Sequence, residues 1–127
     1  MELIIPDWQI SPPVNSLVTT RAGGNSPEPW HSFNLGVNTG DSWQNIQANR
    51  LLLSTHLPSN LKIQWLKQVH GSKSFTADTG TSEVLPTADI CYSRSSGVAC
   101  AVLTADCLPI LISNSAGSEV AAVHAGW

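Results

Sequence analysis

Charge is scarce in this sequence. Asp, Glu, Lys and Arg make up only 12% of its 127 residues, and six basic residues against nine acidic ones leave a net charge of −3. The six are scattered, whereas nucleic-acid binding requires Lys and Arg gathered where several phosphates can be neutralised, so a nucleic-acid partner is excluded. No apolar run approaches the ~20 residues that span a bilayer. The opening MELIIPDWQI has neither a basic region nor a small-residue cleavage site, so no membrane anchor or signal peptide is expected. There are three cysteines, Cys91, Cys100 and Cys107. An odd number without an export signal argues against a disulfide framework and for a reducing, cytoplasmic setting with free or metal-bound thiols. Internal repeats and low-complexity segments are absent too. What remains is a chain that is 42% hydrophobic, a length and composition that suit one domain with a real core.

Along the chain, Leu3 to Ile5 and Asn15 to Thr20 read as short strands. The second runs into Arg21-Ala22-Gly23-Gly24, where adjacent glycines allow positive φ and a close backbone approach. Asp41 or Ser42 can cap a helix from about Trp43 to Leu57, with Trp43, Ile46, Arg50 and Leu53 on one face and Pro58 ending it. Ile63 to Val69 alternates like a half-buried strand, and Thr76 to Pro86 reads as a loop. Val98 to Thr104, Leu108 to Ser113 and Glu119 to Val123 are apolar runs that suit a sheet covered on both faces. Cys91 and Cys100 fit as core residues; His31 and His56 fit as exposed ones.

Three soft-metal ligands fall at the ends of these strands: His70, Cys107 and His124. With a hairpin turn centred between Ser115 and Ala116, Cys107 lies opposite His124, where a thiolate and an imidazole can share an ion. A one-residue slip would undo this by turning a side chain to the other face. Three protein ligands suit a catalytic zinc, which keeps a position open, better than a structural one, which closes its shell with four. Asp106, beside Cys107, is a candidate support for a metal ligand or a proton carrier; neighbours on a strand point to opposite faces, and the alternative is that it serves only the turn at Ala105-Asp106. The plainer alternative is a buried cysteine and two ordinary polar histidines.

The set TTRAGG (Thr19 to Gly24), SFNLG (Ser32 to Gly36), QVHG (Gln68 to Gly71), TADCLPILI (Thr104 to Ile112) and VHAGW (Val123 to Trp127) resembles the YfiH, or laccase-domain, family. Its members are described in older naming as polyphenol oxidases and in newer naming as purine nucleoside phosphorylases with adenosine deaminase activity. The resemblance implies an α/β fold, with a mixed, largely antiparallel sheet and flanking helices. It also implies zinc held by His70, Cys107 and His124, and a site lined by Arg21 and Asn34. In that reading Arg21 holds phosphate through its planar fork of donors, or else anchors the glycine turn through backbone carbonyls. Family members are about twice as long, so residues 1–127 are expected to be the N-terminal part of a single domain whose C-terminal half is absent.

The expected activity is zinc-dependent phosphorolysis of purine nucleosides, with nucleoside and phosphate as small-molecule partners. Three alternatives stand beside it. A thiol hydrolase would use Cys107 as nucleophile and His124 as base. A copper-dependent phenol oxidase would follow the older name, since one Cys and two His can also bind copper. A non-catalytic fragment would self-associate or need a partner chain to complete the fold.

Overall fold

The computed structural model describes residues 1–8, 14–78 and 84–127, in two compact units. The first comprises Met1–Asp7 and Ser16–Ser59; the second contains residues from Asn60 to Trp127 together with Trp8 and residues to Asn15. No helix among the described residues is long and apolar enough to cross a membrane.

In the first unit β1 (Leu3–Ile4) pairs antiparallel with β2 (Val18–Thr19), both shorter than the sequence reading. Helix α1 spans Trp43–Ser54. Its N-cap is Ser42, whose hydroxyl accepts from the Asn45 amide, satisfying one of the donors a helix start leaves open. The helix ends before Pro58 is reached, where the Ser54 and Thr55 hydroxyls hydrogen-bond back to the carbonyls of Leu51 and Leu52. The buried face is Ile46, Asn49 and Leu53, and Trp43 is exposed, contrary to the face read from spacing.

That exchange has a physical cause. Asn49 is fully buried and serves the preceding loop: it donates to Ser26 Oγ at 2.9 Å and to the carbonyls of Asn34 at 2.8 Å and Ser32 at 3.3 Å. Its Oδ1 accepts from the Asn25 amide at 2.7 Å. A polar side chain in a core is tolerated when every lone pair and proton is used, as here. Gly24 fits because a Cβ there would strike the Ser32 carbonyl and the Asn49 carboxamide, while Gly23 takes a φ of 85°.

The second unit contains two sheets. In the smaller, β3 (Lys62–Gln64) runs parallel to β6 (Val98–Cys100). The larger is mixed, in the order β4 (Ser74–Thr76), β5 (Ile90–Ser93), β8 (Val120–Ala125), β7 (Leu108–Ser113), with β4 and β5 parallel and the other pairs antiparallel. β3 stops at Gln64 rather than running to Val69, and the buried residues there are Gln64 and Leu66. Part of the expected 76–86 loop, residues 79–83, lies outside the described residues. The core cluster is Leu66, Ala77, Ala88 and Cys91, with Phe75, Val98, Cys100 and Val102 packed against it. Cys91 is therefore a core residue, as expected, and Cys100 a half-buried neighbour of the core.

The larger sheet is not covered on both faces. Its β7 alternates, with Leu108, Ile110 and Ile112 exposed and Pro109, Leu111 and Ser113 half-buried. Proline inside this strand is tolerated because β7 is at the sheet edge.

Candidate metal centre

The hairpin β7–β8 and the bend leading into it carry two of the three candidate ligands, but not in the expected register. Pro109 lies opposite His124 and Leu108 opposite Ala125. The turn is longer than the simple midpoint: Ser113 pairs with Val120, and Asn114 closes the loop. Its carboxamide accepts from the Ser118 and Glu119 amides at 2.9 and 3.2 Å and donates to Ser118 Oγ at 2.8 Å. Gly117, at φ 67°, completes the reversal by donating to the Asn114 carbonyl. The pairing differs from the expectation by two residues, so side-chain faces are unchanged. Cys107, in the bend just before β7, thus stays on the His124 side as a diagonal rather than a direct neighbour.

His70 reaches the same place by a different route. It stands in a bend rather than at the end of a strand, with the left-handed φ of 58°, which is uncommon outside glycine. The conformation is held by one carboxylate. Asp89, fully buried immediately before β5, accepts from three successive amides: Val69 at 3.0 Å and Gly71 at 2.9 Å on Oδ1, and His70 at 3.0 Å on Oδ2. Gln68 adds a second clamp. Its carboxamide donates to the Leu103 carbonyl at 2.8 Å and accepts from the Leu103 amide at 2.7 Å, tying the segment before His70 to the one leading to Cys107.

The same Asp89 orients His124. Oδ2 lies 2.7 Å from His124 Nδ1, and the His124 amide donates to the Asp89 carbonyl at 2.8 Å. Burial pushes the Asp89 carboxyl up, but hydrogen bonds from His124 and from the Gly71, Val69 and His70 amides outweigh it and hold the group at about 2. An ionised carboxylate only accepts, so the hydrogen bond is donated by His124 Nδ1, and Nε2 is the ring nitrogen turned away from Asp89. A carboxylate behind an imidazole in this way is the usual outer support of a histidine metal ligand.

The result is a compact trio. One ligand atom each from His70, Cys107 and His124 lies within 4.8 Å of the others, with His124 buried, Cys107 half-buried and His70 exposed. The two imidazoles meet edge to face, centroids 4.7 Å apart. A tetrahedral ion at about 2.0–2.3 Å from each ligand sets them roughly 3.5 Å apart, so the trio fits after a closure of about 1 Å. Thiolate and imidazole are donors for zinc or copper, and poor ones for magnesium or calcium. The exposed side leaves room for a further ligand. Gly126 borders it: a Cβ there would stand 3.2 Å from His70 Cδ2 and 3.7 Å from Cys107 Sγ.

Residues 15–127 match the sequence model of the family described as multi-copper polyphenol oxidoreductase laccase. The chain belongs to this family. It is 47% identical to the purine nucleoside phosphorylase YfiH of Shigella flexneri and 46% identical to that of Escherichia coli strain K12, in each case over 99% of this chain and 51% of the relative. Among solved structures, a Neisseria meningitidis protein superposes with a TM-score of 0.90 at 37% identity, over 98% of this chain and 50% of that one. Bacillus licheniformis YfiH does so at 0.78 and 25% identity, over 89% and 46%. The chain thus spans about half the length of the relatives it matches. The chain's mixed α/β fold is shared with solved members of the family over about half of their length, and the relatives' names make this an enzyme family.

The other expected site residues fall elsewhere. Asp106 is exposed in the bend beside Cys107. Arg21 and Asn34 belong to the first unit. Arg21 donates from Nε to the His31 carbonyl at 2.7 Å and from Nη2 to the Pro29 carbonyl at 3.1 Å, the anchoring arrangement. Asn34 donates to Thr39 Oγ1 at 2.8 Å and to Asp41 Oδ2 at 3.1 Å, and accepts from the Gly36 amide at 3.0 Å. His31 and His56 are exposed, as expected. Sequence reasoning passed over Asp89, yet a signal was present: a lone acid in the otherwise apolar Ala88-Asp89-Ile90-Cys91, preceded by the same Thr-Ala that precedes Asp106.

Proposed function

We propose that this chain carries the metal-binding part of a zinc-dependent purine nucleoside phosphorylase, with adenosine deamination as an accompanying activity. The observation that carries the reading is the trio His70, Cys107 and His124, braced by one buried aspartate. The names of the 47% and 46% identical relatives point to the substrate class. Zinc, when bound, would polarise an oxygen or lower the pKa of water to about 7. The chain's own residues would do the rest. Asp89 holds the His124 tautomer and the His70 backbone, Gln68 fixes the approach to Cys107, and Gly126 keeps one side clear for substrate. Arg21, whose Nε and Nη2 brace its own loop, is assigned to phosphate binding; Asn34 shapes the 34–41 loop; Asp106 is an exposed proton carrier. Residues 1–127 are read as the N-terminal part of one domain, and catalysis is assigned to a form that includes the remainder of the fold.

The test is zinc content of the purified chain beside Cys107→Ala, followed by inosine and adenosine assays with and without phosphate on this chain extended by the missing half. About one zinc per chain, lost in the variant, with free base released only when phosphate is present, is the expected result. A zinc-loaded, folded enzyme that converts neither nucleoside would sink the reading.

A second reading has its own observation. Asp89, His124 and Cys107 are ordered like a thiol hydrolase's acid, base and nucleophile. A chelator separates the two, since a thiol hydrolase keeps its activity without metal. Copper-dependent phenol oxidation is less well supported, because several coppers need more imidazoles than the two in this trio.

A further inference from the structure

Two thiols meet inside the second unit. Cys91 and Ser93 form the buried face of β5, and Cys91 has no exposed surface. After β5 the chain reverses: the Ser93 hydroxyl accepts from the Ser95 amide at 3.0 Å, and Gly97 takes a φ of 82°. The reversal lays β6 against β5, although the two strands belong to different sheets. A period of two puts Val98 and Cys100 on one side of β6, and both pack on the core cluster that contains Cys91.

The contact is direct. The Cys100 thiol donates to Cys91 Sγ, and the Ala101 amide donates to the same sulfur. The bond with Cys100 holds the Cys91 thiol below its ordinary range although burial opposes this; the same bond, with burial, pushes Cys100 up. The two sulfurs thus share a proton, which makes a first ionisation of the pair easier and a second one harder. Packing needs only a small apolar side chain at each position, as the buried alanines 77, 88 and 122 show. It does not need two sulfurs turned towards each other.

The pair also has a telling place in the fold. β5 begins immediately after Asp89. Cys100 ends β6 and opens the segment in which Gln68 holds Leu103 on the way to Cys107. A bond between Cys91 and Cys100 would join these two supports of the metal trio without using the trio's own thiol.

We propose that Cys91 and Cys100 are a redox modification site, which a low-molecular-weight disulfide closes reversibly into an intramolecular disulfide fastening β5 to β6. The half-buried Cys100 is the sulfur such an oxidant reaches. As a thiolate it attacks one sulfur of the oxidant, forming a mixed disulfide and expelling the first small thiolate. Cys91 then gives up its proton and attacks the Cys100 sulfur, expelling the second. The pair loses two electrons and two protons, and the oxidant takes them up and leaves as two thiols. Neither the metal nor the nucleoside enters the argument, so this site and the proposed activity stand or fall separately.

The experiment equilibrates the purified chain in mixtures of oxidised and reduced glutathione, both folded and in denaturant, and then traps the remaining thiols. Trypsin, cutting after Arg94, and a protease cutting before Asp106 place the three cysteines on three peptides. The folded chain is expected to carry a Cys91–Cys100 link that excess dithiothreitol reverses. Its equilibrium constant should exceed that in denaturant by roughly tenfold or more, and the oxidised chain should then melt at a higher temperature than the reduced one. Cys91→Ser should stop at a glutathione adduct on Cys100. A folded chain without the link, an equilibrium no more favourable than in denaturant, or a link to Cys107 instead would overturn the proposal. If the chain alone does not unfold cooperatively, the same measurement on this chain extended by the second half of the Escherichia coli relative decides by the same criteria.

Discussion

Asp89 Oδ2 accepts simultaneously from the His124 ring, at 2.7 Å, and from the His70 backbone amide, at 3.0 Å. One buried oxygen thus sets the tautomer of one candidate ligand and the left-handed backbone of another. The two histidines are 54 residues apart in numbering and meet because β5 brings this carboxylate between them.

Asp89→Asn is expected to lower zinc affinity by about 10–100-fold, the usual cost of losing an outer support of a metal-bound histidine. It also removes an acceptor from buried donors, each worth about 1–3 kcal/mol when left unmade. Competition against a chromophoric chelator measures the first effect, and denaturant unfolding with the metal removed measures the second. Unchanged affinity would show that His124 does not need its carboxylate.

Gly126 should tolerate little. The added methyl of Gly126→Ala would press on the His70 ring and come into contact with the Cys107 thiol, and Gly126→Val would do so more severely. Because Gly126 is exposed, the loss is expected in metal affinity, larger for Val than for Ala, with thermal stability of the metal-free chain nearly unchanged.

Asp41 gives the first unit an acid-sensitive contact. Burial raises its carboxyl, but hydrogen bonds from Ser26, Asn45, Asn34 and the Ser42 amide prevail and lower it to about 2. A lowered folded-state value means that its contribution is complete above the unfolded value of 3.8 and fades as pH falls from there through about 2. Asp41→Asn should therefore be less stable than wild type at pH 6, with the difference shrinking towards pH 2. A difference independent of pH would refute the charge-based account.

Asn114→Ala strips the hairpin loop of the carboxamide that binds Ser118 and Glu119. A loss of about 1–2 kcal/mol is expected, comparable to removing a helix cap. If the loop sets the register, zinc affinity should fall as well, because Cys107 and His124 would shift against each other. Calorimetry with and without zinc resolves the two.

Much of the candidate site is legible in the sequence. Cys107 and His124 flank a hairpin whose strands are apolar and β-branched, and a period of two keeps them on one side through any even slip. The two-residue difference in register thus leaves both side chains on one side of the hairpin. It arose because Asn114 and Gly117 build a longer loop than a midpoint can reveal. The helix start at Ser42 was local chemistry and was found; the buried face, with Asn49 in place of Trp43, depends on the carbonyls of a loop folded against it.

By itself, then, the sequence determined which residues can bind a soft metal, where the last two strands lie and where the helix begins, since donor chemistry, alternation and capping act over a few neighbours. Tertiary structure alone decided that Asp89 is the hub, that His70 takes a left-handed backbone, and that Leu108, Ile110 and Ile112 lie open. Each of these depends on which distant strand becomes a neighbour, and burial and hydrogen-bond satisfaction are settled only when that neighbour is in place.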